Sequence, residues 1–199
     1  MKTFAALLVT FLTGSAGVTD DAPLAWSTLG AGCHERGLSE VLLMPDDSET
    51  AIDLTDIRIG RLPDTHQGPG FLVHFRRHLD GPLGQSTGRP ELFLAVGDWK
   101  RSCSILIDQE ACTGASDVYA SLATQNIPIG FAFDDPRPIT VLHGTMYFLS
   151  ARDGHGNQTD WRYYGEGHPL KEVVATSLDQ LETCAKPAKE ALQKQEPSP

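Results

Sequence analysis

Seven histidines and 26 acidic residues give the chain its acid–base groups, and spacing decides which of them can act together. The densest set is His143, His155 and His168 with Asp153, Asp160 and Glu166. An imidazole beside a carboxylate can act as a general base. This region is therefore where a hydrolase site would be sought, with His143, His155 and Asp153 as its catalytic candidates. Such a base needs a nucleophile. Ser150 and Thr145 are available, but neither has the glycine-flanked elbow that exposes a nucleophilic serine. Turn chemistry accounts for the same residues, since Asp153-Gly154 and Gly156-Asn157 suit positive φ in a hairpin connection. His74 and His78 are four apart. On a helix they would share a face and could bind a metal. On a strand the same spacing sets them about 13 Å apart, too far for one ion. The run Phe71 to Leu79 alternates as a strand does, so they read as surface histidines opposite Phe75, among Arg76 and Arg77.

Other chemistry is thinly represented. Asp153-Gly154-His155-Gly156-Asn157 departs from a calcium loop at its third position, and Tyr164 stands where the closing Glu belongs. No nucleophile elbow, zinc-protease, phosphate-loop or dinucleotide motif occurs. No cofactor and no metal site are expected. Asn157-Gln158-Thr159 is a glycosylation sequon on an expected turn. Aromatics supply the binding candidates: Trp161, Tyr163 and Tyr164 follow the hairpin, with Trp161 and Tyr163 on one strand face and Tyr164 on the other.

The elements that position these groups follow from periodicity. Glu40 to Met44 reads as a first strand, stopped by Pro45. A short helix is expected around Pro23 to Leu29. Ile52 and Leu54 alternate in one parity and Ile57 and Ile59 in the other, which suggests a bulge near Thr55–Asp56. Phe71, Val73 and Phe75 share one strand face. Glu91 to Val96 is apolar on both faces, as a buried strand should be. Ser102 to Asp108 puts Cys103, Ile105 and Ile107 together. Ser116 reads as the N-cap of a short helix with Val118, Tyr119 and Leu122 inward. Ile127 to Phe133 and Ile139 to Ser150 are further strands, and Asp160 to Tyr164 returns from a hairpin. Then the period changes. Leu170, Val173, Val174, Leu178, Leu181 and Cys184 form a helical stripe, with Pro169 at the first position. Pro187 should break or kink this helix.

Four cysteines, Cys33, Cys103, Cys112 and Cys184, allow three pairings. The favoured one joins Cys103 to Cys112 across a hairpin-sized loop and Cys33 to Cys184 across the domain's ends. The stretch Gly97-Asp98-Trp99-Lys100-Arg101-Ser102-Cys103 locally resembles the opening of the bacterial invasion-associated locus B proteins, small exported β proteins. In those the signature lies near the mature N-terminus. Here it lies mid-chain, the second close cysteine pair is missing, and the likeness ends by Cys112. It carries no function over, and Trp99 reads as a cap on the sheet core beside a disulfide.

The chain opens as exported proteins do. Lys2 precedes the apolar run Phe4 to Leu12, and Thr13-Gly14-Ser15-Ala16-Gly17 offers small residues for cleavage, so residues 1–17 read as a signal peptide. The run is about half the length of a spanning helix, and no membrane anchor is expected after cleavage. The destination is periplasmic or extracellular, where two disulfides would form. Residues 18–187 read as one domain and 188–199 as a polar, disordered tail. The net charge is −10, and loss of Lys2 makes it more negative. That charge opposes nucleic-acid and anionic-membrane binding and steers basic partners.

The expected fold class is mainly β (α+β): an antiparallel sheet sandwich or half-barrel with a packed C-terminal helix, stapled by disulfides. The expected function is an exported acidic binding or inhibitory module for a basic protein. In size, compartment and charge it is similar to periplasmic immunity proteins and lysozyme inhibitors. The alternatives are a secreted hydrolase using a histidine–carboxylate pair in residues 143–168, and a structural envelope protein. The lack of a catalytic motif favours binding over an enzyme. Oligomeric state is left open.

Overall fold

Alternating apolar residues shape most of the strands. The computed structural model describes residues 29–43, 56–64, 68–77, 90–126, 144–152, 158–165 and 167–194. Within them lie β1 (Leu29–His34), β2 (Asp56–Leu62), β3 (Gly70–Arg77), β4 (Pro90–Gly97), β5 (Ser102–Asp108), β6 (Met146–Arg152) and β7 (Gln158–Tyr164). They form one seven-stranded sheet in the order β1-β5-β4-β3-β2-β6-β7, with every neighbouring pair antiparallel. The strands β2 to β5 are a meander. β1 adds at one side and the β6–β7 hairpin at the other. The sheet is open rather than closed into a barrel.

Strand alternation gives the sheet two unlike faces. One carries Ile57, Ile59, Phe71, Val73, Phe75, Leu92, Leu94, Ile105 and Ile107, all buried. Against it pack α2 (Ala115–Ala123), α3 (Pro169–Leu181) and α4 (Lys186–Lys194). Their inward residues include Val118 and Leu122, then Leu170, Val174, Leu178 and Leu181, then Ala188 and Leu192. Each fully buried Leu or Ile contributes about 1.5–3 kcal/mol relative to exposure. Arg61 of β2 fastens the α3 end to the sheet, reaching Asp179 at 2.7 Å and Glu182 at 3.1 Å. Lys189 of α4 also pairs with Glu182. The Lys189 hydrogen bond is the largest influence on Glu182; with Arg61 it outweighs burial and holds that carboxyl below its ordinary range.

On the other face α1 (Leu38–Leu43) covers a smaller cluster of Leu38, Leu62, Leu72, Ala95 and Phe148. Gly60 makes room there, since a Cβ at that position would sit 2.2 Å from the Phe148 ring. The N–H of Leu38 donates to the Asp98 carbonyl at 2.8 Å, which docks α1 on the β4–β5 turn.

The main features match the sequence expectation: an antiparallel sheet, a packed C-terminal helix and two disulfides. Phe71, Val73 and Phe75 share a face, as do Cys103, Ile105 and Ile107. Several expectations are corrected. The disulfides are Cys33–Cys103 and Cys112–Cys184. Cys33 lies directly opposite Cys103 across β1 and β5, with Cα atoms 4.0 Å apart. Cys112 follows β5 on the helix-covered side, where the turn after α3 brings Cys184. Glu40 to Leu43 is helical within α1, because tertiary packing of Leu38 and Val41 overrides a run too short to show its period. The N-cap of α2 is Gly114, not Ser116. The α3 helix gives way to a 3-10 turn at Glu182–Ala185, before Pro187. Pro187 then sits in the first turn of α4, where its missing N–H costs nothing. The segment expected to be a tail is therefore helical through Lys194, with Ala188 and Leu192 buried. The signal peptide, the helix near Pro23, Ile52, Leu54 and the Ile127 to Phe133 run lie outside the described residues.

Among the described residues no helix is long and apolar enough to cross a membrane. Two disulfides and no free cysteine fit an oxidising compartment.

Candidate binding surface

The strand β7 ends the sheet order and pairs only with β6 among the described strands. Leu149 faces Trp161 and Tyr147 faces Tyr163 across that pair. Alternation turns Trp161 and Tyr163 toward the α3 side, where both are half-buried. Their rings stack at 5.8 Å with planes 11° apart. The His168 ring meets each of them at 5.0 Å, tilted by 53°. His168 is fixed by the start of α3, because its Nδ1 accepts the Leu170 N–H at 3.1 Å and so caps the helix. Pro169 fills the first helical position. Burial holds the His168 imidazole below its ordinary 6.5, which favours the neutral ring that can accept this bond. One turn on, the Lys171 ammonium lies 5.4 Å from the centre of the Tyr147 ring. It also reaches Glu172 at 3.4 Å. Tyr147, Trp161, Tyr163, His168 and Lys171 together make an aromatic platform along the sheet's edge. The chain's own Lys171 ammonium already rests on one of its rings.

The opposite face holds a second polar cluster. Asp56 and Arg58 of β2 form an ion pair at 2.9 Å, and the His74 Nε2 of β3 lies against the same carboxylate. The His74 and Asp56 side chains meet across the β2–β3 pair. His74 is only 7% exposed and Glu91 of β4 only 5%. Register continues the row: Arg76 faces Glu91, and Glu91 faces Asp108. Burial works to raise the Asp56 pKa, yet His74 and Arg58 outweigh it and hold the carboxyl below its ordinary range. An imidazole against a carboxylate can serve as a base for water. Ser150 does not reach it as a nucleophile, because it faces Arg58 from β6, with the whole of β2 between it and His74.

The sequence candidates divide accordingly. Trp161 and Tyr163 come together, while Tyr164 points to the other face and is 53% exposed. Asp160 and His168 do not meet. Asp160 shares the Tyr164 face and accepts from Gln158 at 3.0 Å, whereas His168 is on the α3 side. His143, His155, Asp153, Glu166, Asn157 and His78 lie outside the described residues. His74 is a correction, since it is buried rather than on the surface. Trp99 is another. It is 46% exposed in the β4–β5 turn and caps no core. Its turn is held by the Asp98 carboxylate, which accepts from the N–H groups of Lys100 at 2.7 Å and Arg101 at 2.8 Å. Residues missed in the sequence reading were Tyr147, Lys171 and Asp56. Each gains its neighbours by strand register or helix docking, which linear spacing does not display. Among the described residues no cluster of three His, Cys, Asp or Glu side chains is placed to hold a metal.

Comparison with models of known protein families, with curated proteins and with solved structures returned no match.

Proposed function

We propose that this chain is an exported binding or inhibitory module that takes a basic protein partner on the β7–α3 platform. The observation that carries the reading is the stacked Trp161–Tyr163 pair at the sheet edge, held from behind by His168. Half-buried aromatics on a rigid strand are pre-ordered anchors that lose little entropy on binding. Their faces suit lysine and arginine side chains. The net charge of −10 supplies steering. Acidic and basic side chains nearly cancel within the described residues, so most of that charge comes from elsewhere in the chain, including Asp46, Asp47, Glu49 and Asp53.

The test is capture from periplasmic or culture extract with the mature oxidised protein and its Trp161→Ala variant side by side. The expected result is a stoichiometric basic protein, inhibited on binding, that the variant retains at least about tenfold less well. Equal capture by both proteins, or none at low and moderate salt, would reject the platform. The contact between His74 and Asp56 supports a second reading, a hydrolase that activates water at that pair. A substrate screen with a His74→Ala control addresses it, and activity unchanged in the variant would remove the pair from consideration.

A further inference from the structure

We propose that the Cys33–Cys103 disulfide is a redox switch whose moving part is β1, while Cys112–Cys184 is a permanent staple. Thiol–disulfide exchange needs an incoming thiolate to reach one of the two sulfurs. The two bridges differ in what they offer it. Cys112 and Cys184 are both buried within the main core. Cys103 is buried as well, but Cys33 is partly exposed. Of the four cysteines, Cys33 alone presents surface to a reductant.

The strand that carries Cys33 is also briefly paired. β1 meets β5 at Leu29, slips, and then keeps register from Gly32 to His34. By contrast β4 and β5 pair without a break from Glu91 to Gly97. Gly30 and Gly32 give β1 little strand preference of its own. The bridge thus reinforces a short ladder at the start of β5, and opening it removes the loop constraint from 33 to 103. The second ring, from 112 to 184, shares no residue with the first, so α2 and α3 stay tied. The reductant is a dithiol. One of its thiolates attacks the Cys33 sulfur, the bond to Cys103 breaks, and Cys103 leaves as a thiolate that takes up a proton. The second thiol of the reductant attacks the mixed disulfide and releases Cys33, which is protonated in turn. Two electrons pass to this chain, and the reductant ends as a disulfide. β1 then parts from β5 while the rest of the sheet stays in place. The inference rests on the cysteines and on β1, and stands apart from the binding reading.

Reduction under native conditions tests it. The oxidised protein is treated with dithiothreitol for graded times and quenched by rapid alkylation, and each cysteine is quantified by peptide mass spectrometry. Cys33 and Cys103 are expected to be alkylated at least about tenfold faster than Cys112 and Cys184. Glutathione in place of dithiothreitol should leave its adduct on Cys33, with the Cys103 thiol alkylated. Hydrogen exchange on the protein reduced at this one bridge should show protection lost in β1 and kept in β6 and α3. The Cys33→Ser, Cys103→Ser double variant opens the bridge without the bulk of an alkyl group and is expected to give the same exchange pattern. Reduction of both bridges together, reduction of Cys112–Cys184 first, a glutathione adduct on Cys103, or β1 amides as protected in the double variant as in the oxidised protein would each overturn the proposal.

Discussion

At one side of the sheet β1 slips in register between Leu29 and Gly32, carries glycine at positions 30 and 32, and is bonded to β5 through Cys33–Cys103. At the other side β7 runs in unbroken register with β6 and has neither glycine, proline nor cysteine. Both end the sheet among the described strands, yet one is irregular and covalently fixed while the other is regular and carries no disulfide. Irregularity is a standard way to keep an edge from pairing. The difference bears on the proposed binding reading, which would seek aromatic contact at β7 rather than at β1.

The contrast can be broken most forcefully at the disulfide. Replacing Cys33 and Cys103 together by Ser is expected to cost about 2–5 kcal/mol of stability. Hydrogen exchange should show the loss in β1 and the facing half of β5, with β6 and β7 amides little changed. Equal loss of protection at β7 would mean the two edges are not independent. A smaller effect is expected at the turn beside β1. Removing the Asp98 carboxylate by Asp98→Ala gives up two charge-assisted bonds in an exposed site, a loss of about 1 kcal/mol by denaturant midpoint. Burial raises the Asp98 pKa, but the Lys100 and Arg101 amides outweigh it, so the folded value is below 3.8. Its contribution is present above that ordinary value and is lost as pH falls through the folded one. Acid should therefore destabilise the wild type more than Asp98→Ala. The smallest effect is expected on the β7 side. His168 has a folded value below 6.5, so its contribution is complete above 6.5 and declines as pH drops through the folded value. Protonation also removes the Nδ1 lone pair that caps α3. In His168→Asn, a non-titrating cap, melting temperature should fall less between neutral and mildly acidic pH. An unchanged slope would show that the cap is not what titrates.

Much of this was legible from residue patterning. Phe71, Val73 and Phe75, the Cys103–Ile107 alternation and the α3 stripe each repeat often enough to declare a period and a face. The hairpin was legible because its turn residues have a specific conformational use. β1 was hidden, since Leu-Gly-Ala-Gly-Cys-His has little strand preference and owes its place to pairing with β5. α1 is too short for a helical period, and its apolar residues fit a strand equally well. The platform was half visible. Trp161 and Tyr163 share parity in sequence, but His168 joins them only because α3 doubles back. Tyr147 joins through register and Lys171 through the first turn of that helix. Cross-strand neighbours such as Asp56 and His74 leave no trace in spacing.

The two covalent links close successive stretches of chain, 33 to 103 and then 112 to 184, with neither inside the other. A polypeptide leaving a translocation pore presents its thiols in that same order. The first ring holds β1 to β4 and the start of β5, the meander included, and is complete before Cys112 emerges. An oxidase joining each pair of thiols as it appears would therefore produce the native links without a reshuffling step. A nested pattern linking 33 to 184 would instead leave the earliest thiol waiting for the last. In a chain delivered from its N-terminus, the β6–β7 hairpin, last of the described strands, would add to a sheet already cross-linked by the first ring.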